Sequence, residues 1–504
     1  MKRILGAAAL ALAVATAGCQ AGAGDEAEKT AAADHYFHQE IEAGERTSFD
    51  DYMDRPESVY GWTKVSSFTG EGYTADILEL TSQTWRSEKD VDKPVWKHWL
   101  TVIRPDQIDT DTGFLYITGG SDGDPPPEKA PDELALIATK THSIVTELRM
   151  VPNQPLHYTD TPDKARYEDD SIAYTWRKQI ETGEDEWLIR MAMVKSGVQA
   201  MTAVQAFAQS EDGGGQPVNR FVVAGASKRG WTTWLVGAMD TRVVAIMPLV
   251  IDALNTDALA KHHYEVLGFF APSLGDYVHH GIIPHMAGDP AYQKMLDIED
   301  PYSYRHRKRM ALPKYAINAA GDQYFHPDTS QFYWADIPEE KTLRYVPNTD
   351  HGLGGSDVIE TMIAFYDMIL TGTPRPTYAW SKAEDGTLSV TTNTAPKEVR
   401  LWQAYNPDAR DFRVESLGKK YTSTVLEPRE DGSYAAKVEQ ADTGFKAWFI
   451  ELTWDTPSGF PFKATTGVTI TPDIRPYKWE DAAKQYAHTL GGESNPLNTP
   501  ENQP

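Results

Sequence analysis

A hydroxyl, a carboxylate and an imidazole, met in that order along the chain, are the residues here whose types and spacing could do covalent chemistry. The hydroxyl is Ser227, in Gly225-Ala226-Ser227-Lys228-Arg229-Gly230. The residues before it, Phe221-Val222-Val223-Ala224, are apolar and read as a buried strand, and Trp231-Thr232-Thr233-Trp234-Leu235-Val236-Gly237-Ala238 read as the start of a packed helix. A serine on so sharp a strand-to-helix turn is held in a strained backbone conformation that lifts its Oγ above the sheet. Small neighbours let strand and helix approach one another. The second glycine of a Gly-x-Ser-x-Gly turn comes one place late, with Arg229 in its position and Gly230 after it.

A serine hydroxyl is a weak nucleophile at neutral pH and needs a base, an acid that orients the base, and donors for the oxyanion. Two predicted strands further on, Lys314-Tyr315-Ala316-Ile317-Asn318 is followed by Ala319-Ala320-Gly321-Asp322, which puts Asp322 on a strand-end loop. The next strand, Thr342-Leu343-Arg344-Tyr345-Val346, is followed by Pro347-Asn348-Thr349-Asp350-His351-Gly352, which puts His351 on the loop before a helix. The order Ser227, Asp322, His351 with all three at strand ends is that of a nucleophile, orienting acid and general base. Asp328, in His326-Pro327-Asp328, is the alternative acid, and Asp350 is expected to face solvent. The oxyanion donors are expected from the backbone of Lys228 and from the turn Thr118-Gly119-Gly120-Ser121 after an early strand, with Gly119, Gly120 and Ser121 as its candidates. The Lys228 side chain would add positive charge beside the oxyanion, pair with an acid, or point to solvent.

Stepping outward along the chain, Trp96-Lys97-His98-Trp99-Leu100-Thr101-Val102-Ile103 and Gly113-Phe114-Leu115-Tyr116-Ile117-Thr118 read as strands, and 187–209 as an amphipathic helix with Ile189, Met193, Val198, Met201 and Val204 on one face. Val243-Val244-Ala245-Ile246-Met247 is a further strand. Alternating strands and helices imply a mostly parallel sheet covered on both faces, an α/β fold. Residues of about 255–313 form an aromatic, histidine-rich insertion where a helical cap would sit. From 376 to 475 short strands such as Thr387-Leu388-Ser389-Val390-Thr391-Thr392 alternate with turn residues, the signature of a small β-sandwich. Residues 476–504 read as a polar, frayed tail.

With 504 residues the chain can bury a large core, and 40% hydrophobic with 24% charged residues is an ordinary globular composition. The formal charge of −25 argues against a nucleic-acid partner. No cofactor motif is present. His262, His263, His279, His280 and His285 lack a fixed ligand spacing such as His-Glu-x-x-His, so no metal is expected and they read as surface or cleft histidines. The run Arg305-His306-Arg307-Lys308-Arg309 reads as a solvated helix face, with an anionic substrate or lipid contact as the alternative.

The chain opens as a targeting signal. Lys2 and Arg3 precede an apolar stretch, residues 5–17, that is too short to span a bilayer stably. Residues 1–19 end in Thr16-Ala17-Gly18-Cys19, which resembles a bacterial lipobox apart from Thr16, and Ala15-Thr16-Ala17 would also serve as an ordinary cleavage site. Cys19 is the single cysteine, so the fold has no intramolecular disulfide. The expectation is an exported protein of the bacterial cell envelope, anchored to the membrane by lipid on Cys19 and a tether over 20–45, or else secreted.

Several segments together resemble the PhoPQ-activated pathogenicity-related protein family: Ser82-Gln83-Thr84-Trp85-Arg86, Val95-Trp96-Lys97-His98-Trp99-Leu100, Gly119-Gly120-Ser121, Val151-Pro152-Asn153-Gln154-Pro155-Leu156, Glu168-Asp169-Asp170, 224–234 and Val346-Pro347-Asn348. The resemblance runs from about residue 46 to about 475 and implies an α/β-hydrolase fold over 46–375, of the kind prolyl-oligopeptidase-like peptidases use. It implies no settled substrate, and Val151-Pro152-Asn153-Gln154-Pro155-Leu156 receives no chemical role from it. The serine turn is also similar to the Gly-Cys-Ser-Arg-x-Gly turn of glucuronoyl esterases, with Lys228 where that arginine stands. The function expected is a serine hydrolase acting on a small-molecule, peptide or carbohydrate substrate, peptidase-like or carbohydrate-esterase-like. The alternative is a non-catalytic, surface-anchored binding protein on the same scaffold.

Overall fold

The computed structural model describes residue 41 and residues 44–495, so the leader, Cys19 and most of the tether lie outside the described residues. Nine strands form one sheet: β1 (Gly61–Gly70), β2 (Tyr73–Thr84), β3 (Val95–Pro105), β4 (Thr112–Ile117), β5 (Val145–Leu148), β6 (Arg220–Ala226), β7 (Val243–Leu249), β8 (Lys314–Ala319) and β9 (Lys341–Val346). Their order is β1-β2-β3-β5-β4-β6-β7-β8-β9. The first three strands and the β3–β5 pair are antiparallel, and everything from β5 through β9 is parallel. This is the α/β-hydrolase arrangement expected from the sequence.

The continuous apolar run before the serine turn is explained by burial on both faces. Phe221 and Val223 point into one core layer, and Val222 and Ala224 into the other. The helices are α1 (Ser48–Asp54), α2 (Asp132–Thr141), α3 (Glu168–Thr182), α4 (Ile189–Gln209), α5 (Lys228–Met239), α6 (Thr256–Leu267), α7 (Gly275–His279), α8 (Ile282–His285), α9 (Pro290–Glu299), α10 (Val358–Thr371), α11 (Val414–Leu417) and α12 (Trp479–Gln485). On the first face, α4 and α5 supply Met201, Val204, Trp234 and Leu235. On the second, α2 and α10 supply Leu134, Ile137, Met362 and Phe365. The expected insertion is present as α6 to α9, between the end of β7 and the start of β8.

Beyond α10, strands β10 (Tyr378–Lys382), β11 (Leu388–Thr392), β12 (Glu398–Asn406), β13 (Thr422–Val425), β14 (Tyr434–Ala436), β15 (Phe445–Asp455), β16 (Pro461–Thr465) and β17 (Thr469–Thr471) form two antiparallel sheets, β10-β11-β14 and β13-β12-β15-β16 with β17 on β15. Leu388 and Val390 of one sheet share a core with Leu401, Ile450 and Leu452 of the other. That core is continuous with the α/β layers: Phe462 stacks on Phe365 at 6.4 Å, and the Tyr315 hydroxyl donates to the Lys463 carbonyl at 2.7 Å.

Two expectations are overturned. The segment after 476 is ordered onto the cap as far as residue 495. Trp479 and Tyr486 make edge contacts with Tyr264, and Tyr486 also with Phe270. Glu493 pairs with the buried Arg166 at 2.5 Å, and with Lys164 and His279. Three aromatic or charged anchors in a polar stretch suffice because their partners wait on another element. The basic run 305–309 is likewise no solvated helix face. Arg307 is buried and holds Asp50 of α1 through two contacts of 2.9 and 2.7 Å. Arg309 donates to the carbonyls of Gly237 and Val243, and Arg305 lies over the Tyr302 ring. Cations at a chain crossing here serve backbone carbonyls and a buried carboxylate.

Candidate active site

Ser227 is the residue between β6 and α5, with φ 58° and ψ −127°, a conformation that costs a non-glycine residue strain. Its amide donates to the Leu249 carbonyl at 2.9 Å, which locks the turn to the neighbouring strand. The displaced glycine now has a reason. A Cβ on Gly225 would lie 2.7 Å from the Arg229 carbonyl, and one on Gly230 would lie 2.8 Å from the Leu249 carbonyl and from Ile251. Both glycines serve the close approach of α5 to the sheet, whereas the Arg229 position leaves room for a long side chain.

Asp322 follows β8 and His351 follows β9, two parallel neighbours, so their loops leave the sheet side by side. The Gly321 amide bonds the Thr349 carbonyl, and the His351 amide bonds Gln323 Oε1. Asn348, at φ 59°, exchanges side-chain bonds with the backbone of Tyr421, so the sandwich steadies this loop. Asp322 is buried, and its Oδ2 and Oδ1 accept from His351 Nδ1 at 2.8 and 3.1 Å. That fixes the proton on Nδ1 and leaves Nε2 as the free lone pair. Nε2 is buried and has no hydrogen-bond partner among the described residues, Ser227 Oγ included. The Tyr324 ring lies 4.4 Å from the His351 ring and lines the same cavity as Ser227.

Asp328 does not face His351. Its Oδ1 accepts from His262 at 2.9 Å and His326 at 2.5 Å, while its Oδ2 takes Arg410 at 2.5 Å. Burial would raise this carboxyl, but His326 and His262 hold it well below its usual range. Asp350 is exposed, as expected.

On the other side of Ser227, β4 runs parallel to β6 with Ile117 opposite Gly225, so the turn 118–121 opens beside the serine. The amide of Ser121 already donates to Asp124 Oδ2 at 2.8 Å, which removes it from the expected oxyanion donors. Gly119 and Gly120 remain: a Cβ on Gly119 would lie 2.6 Å from the Arg229 guanidinium, and Gly120 has φ 133°. Lys228 begins α5, where the first amides have no partner within the helix.

One network underlies this turn, and the sequence left Gln154, Glu168 and Arg229 in it without a role. Arg229 grips both oxygens of Glu168 at 2.7 and 2.6 Å and donates through Nε to the Val151 carbonyl at 2.6 Å. Gln154 donates to Glu168 at 2.6 Å and to the Gly120 carbonyl at 3.2 Å, and accepts from the Glu168 amide at 2.8 Å. The Lys228 ammonium is 2.9 Å from Glu168 and 3.2 Å from Asp169, so it pairs with acids. Burial would push the Glu168 carboxyl up, but the hydrogen bonds and charge of Arg229, with Lys228, hold it down at about 2. The only trace of this in the sequence was the pairing of two unexplained segments, 151–156 and 168–170.

Among the described residues two groups gather atoms able to bind a metal, His262 with His326 and Asp328, and Asp170 with His280 and Glu493, each set within 4.8 Å. Arg410 already holds Asp328, and Arg166 already holds Asp170 and Glu493. Each carboxylate is thus already charge-compensated by a guanidinium. His262, His263 and His280 are buried, contrary to the expected surface or cleft placement. Burial pushes His263 down to about 3 and His280 to about 4, so both are neutral at ordinary pH. No helix of the described residues is long and apolar enough to cross a membrane.

Among solved structures the fold is similar to acetyl xylan esterase 1 from Thermoanaerobacterium sp. JW/SL YS485, with 14% identity and a TM-score of 0.42 over 64% of this chain and 93% of that one. It is similar to the acetyl xylan esterase of Paenibacillus sp. R4, with 13% identity and a TM-score of 0.44 over 64% and 95%. It is also similar to the acylaminoacyl peptidase of Pyrococcus horikoshii, with 12% identity and a TM-score of 0.36 over 63% and 50%. In sequence, autocrine proliferation repressor protein A of Dictyostelium discoideum is 36% identical over 460 residues, 86% of this chain and 92% of that protein. The model of the PhoPQ-activated pathogenicity-related proteins matches residues 49–413, through the serine turn, the Glu168 network and both strand-end loops. The chain therefore belongs to the PhoPQ-activated pathogenicity-related protein family.

Proposed function

We propose that this protein is a serine hydrolase that cleaves an ester or amide through an acyl-enzyme on Ser227. Ser227 Oγ attacks the carbonyl carbon and passes its proton to His351 Nε2. Asp322 holds the imidazole by Nδ1 and balances the imidazolium charge. The amides of Lys228 and of the Gly119–Gly120 turn receive the oxyanion. Collapse of the adduct breaks the bond to the leaving group, which takes the proton from His351. Water then repeats the sequence, with His351 again as base, and frees the acid.

The observation that carries this reading is the Asp322–His351 pair, with its Nε2 lone pair uncommitted, alongside a serine held at positive φ. The Nε2–Oγ contact is open in this structure, and such contacts commonly tighten only when substrate binds. The leader sequence and the single cysteine support placing the enzyme in the cell envelope, tethered through lipid on Cys19.

The test is labelling by a fluorophosphonate probe with peptide mapping, beside Ser227→Ala and His351→Ala. Labelling confined to Ser227 and lost in both variants is expected. A folded protein that stays unlabelled, with its cavity open to small ligands, would leave the binding-protein reading in its place.

A further inference from the structure

A cavity of about 80 Å³ runs from Ser227 beneath the cap. Rings such as Trp176, Trp231, Phe270 and Tyr277 share its wall with aliphatic side chains such as Leu259 and Met286. Three charged side chains, Asp169, Lys228 and Arg190, stand in that wall too. Arg190 of α4 also lines the cavity although it is only 1% exposed, and its guanidinium lies 4.0 Å above the Trp231 ring. Its Nε is 2.7 Å from Glu299 Oε1, an ion pair by distance in which the N–H is not directed at the oxygen. Arg190 Nη1 is buried and has no hydrogen-bond partner. Beside it, Glu299 Oε2 is buried and equally unpartnered, since the Trp176 indole donates to Oε1.

Buried polar groups are normally satisfied, and a donor left open in a cavity wall is a place for a ligand atom. The charge already present decides which atom. Glu299 balances Arg190, and Lys228 and Asp169, which also line the cavity, pair with one another at 3.2 Å, so a ligand carboxylate would be a further buried anion with every cation already paired. A neutral hydroxyl accepts from the Arg190 guanidinium and adds no charge. The surrounding rings fit an aromatic body by offset or edge contacts. During turnover the acyl part stays bonded to Ser227 while the leaving group departs, so the cavity that starts at Ser227 suits the acyl side.

On the reading of Ser227 as nucleophile, we propose that this cavity is an acyl pocket selecting an aryl acyl group with a hydroxyl at the far end of its ring, received by Arg190. Whether an ester or an amide carries the acyl group, the pocket reads the ring and its hydroxyl.

Three boronic acids test this: 2-phenylethyl, 2-(4-hydroxyphenyl)ethyl and 2-(4-carboxyphenyl)ethyl. Each forms a boron–oxygen bond to Ser227 Oγ, the serine proton passes to His351, and the boronate carries the negative charge. Protection of Ser227 against the fluorophosphonate probe gives their relative affinities. The hydroxyl compound is expected to protect at a concentration at least about tenfold below the phenyl compound, since a site built around a hydroxyl rejects the analogue lacking it. The carboxylate is expected to be the weakest. Arg190→Met paired with Glu299→Gln removes the ion pair as a unit and should bring the hydroxyl and phenyl compounds to equal potency. Should that double variant fail to fold, the wild-type ranking decides. Equal protection by the phenyl and hydroxyl compounds, or best protection by the carboxylate, overturns the proposal while labelling of Ser227 still upholds the hydrolase. Absence of labelling removes the hydrolase reading and this one with it.

Discussion

Glu168 and Arg229 meet through both carboxylate oxygens and two guanidinium nitrogens, at 2.7 and 2.6 Å. The pair ties the first turn of α5 to the entry of α3, and through Gln154 to the Gly120 carbonyl. Ser227 and the glycine turn opposite it are therefore set by one shared clamp. Glu168→Gln keeps the shape and loses the charge. We expect a loss of up to about 10²-fold in kcat with little change in KM, the mark of misplaced donors. Comparison of the two constants on any turned-over ester checks it.

The same substitution should alter acid stability. Glu168 is held at about 2, against 4.5 for a free glutamate, so it contributes stability that is fully present above pH 4.5. That contribution falls as pH drops from 4.5 towards 2. In Glu168→Gln the fall across this window should be shallower than in the wild type. Urea midpoints at pH 5, 4 and 3 read the difference.

Asp322 and Asp328 are six residues apart in sequence and do opposite work. Asp322→Asn should keep the fold and cut kcat by about 10⁴-fold, because an amide NH2 donating to Nδ1 holds the imidazole in the wrong tautomer and supplies no charge to balance the imidazolium. Asp328→Asn should leave the labelling rate of folded protein unchanged. It removes one of the two carboxylates on the buried Arg410, which keeps Asp473 at 3.1 Å, and a loss of about 1–3 kcal/mol in stability is expected. Fluorophosphonate labelling rates and denaturant titrations separate the two.

Gly230→Ala places a methyl group 2.8 Å from the Leu249 carbonyl and from Ile251. Backbone cannot yield as a side-chain tip can, so α5 must lift from the sheet. An overpacking cost of about 1–3 kcal/mol is expected, together with slower labelling of Ser227. A lowered Tm with an unchanged labelling rate would contradict it.

Deletion of residues 476–504 removes Trp479 and Tyr486 from the cap and Glu493 from Arg166. The cap should then be cut by protease at concentrations that leave the full chain intact, with cleavage falling among α6 to α8. Limited proteolysis with mass mapping reads this directly.

Elements whose cause is local were legible in the sequence. The run 221–224, the helix ending at Gln209 and the strand-end positions of Asp322 and His351 follow from apolar spacing and chain order. What escaped has its cause elsewhere in the chain. Gln154, Glu168 and Arg229 form no periodic pattern, and their bond partners lie up to 78 residues apart. Arg307 looked like a surface cation because Asp50, its partner, is 257 residues away. The tail looked frayed because its few anchors matter only where Tyr264, Phe270 and Arg166 already stand. A string of residue types carries no record of such meetings.

The fastening of the cap by residues 479–495 also sets an order of assembly. Tyr264 of α6 bonds Gln485, 221 positions later, after every strand of the sandwich has passed. The nine-stranded sheet and both small sheets can pair before that contact exists, and closing so long a loop is slow relative to neighbouring strands. During synthesis and refolding the molecule thus passes through a stage in which the sheet is complete and the roof over Ser227 is unsecured. In that interval the cap keeps its contacts with α3 but lacks the anchors that Trp479 and Tyr486 supply.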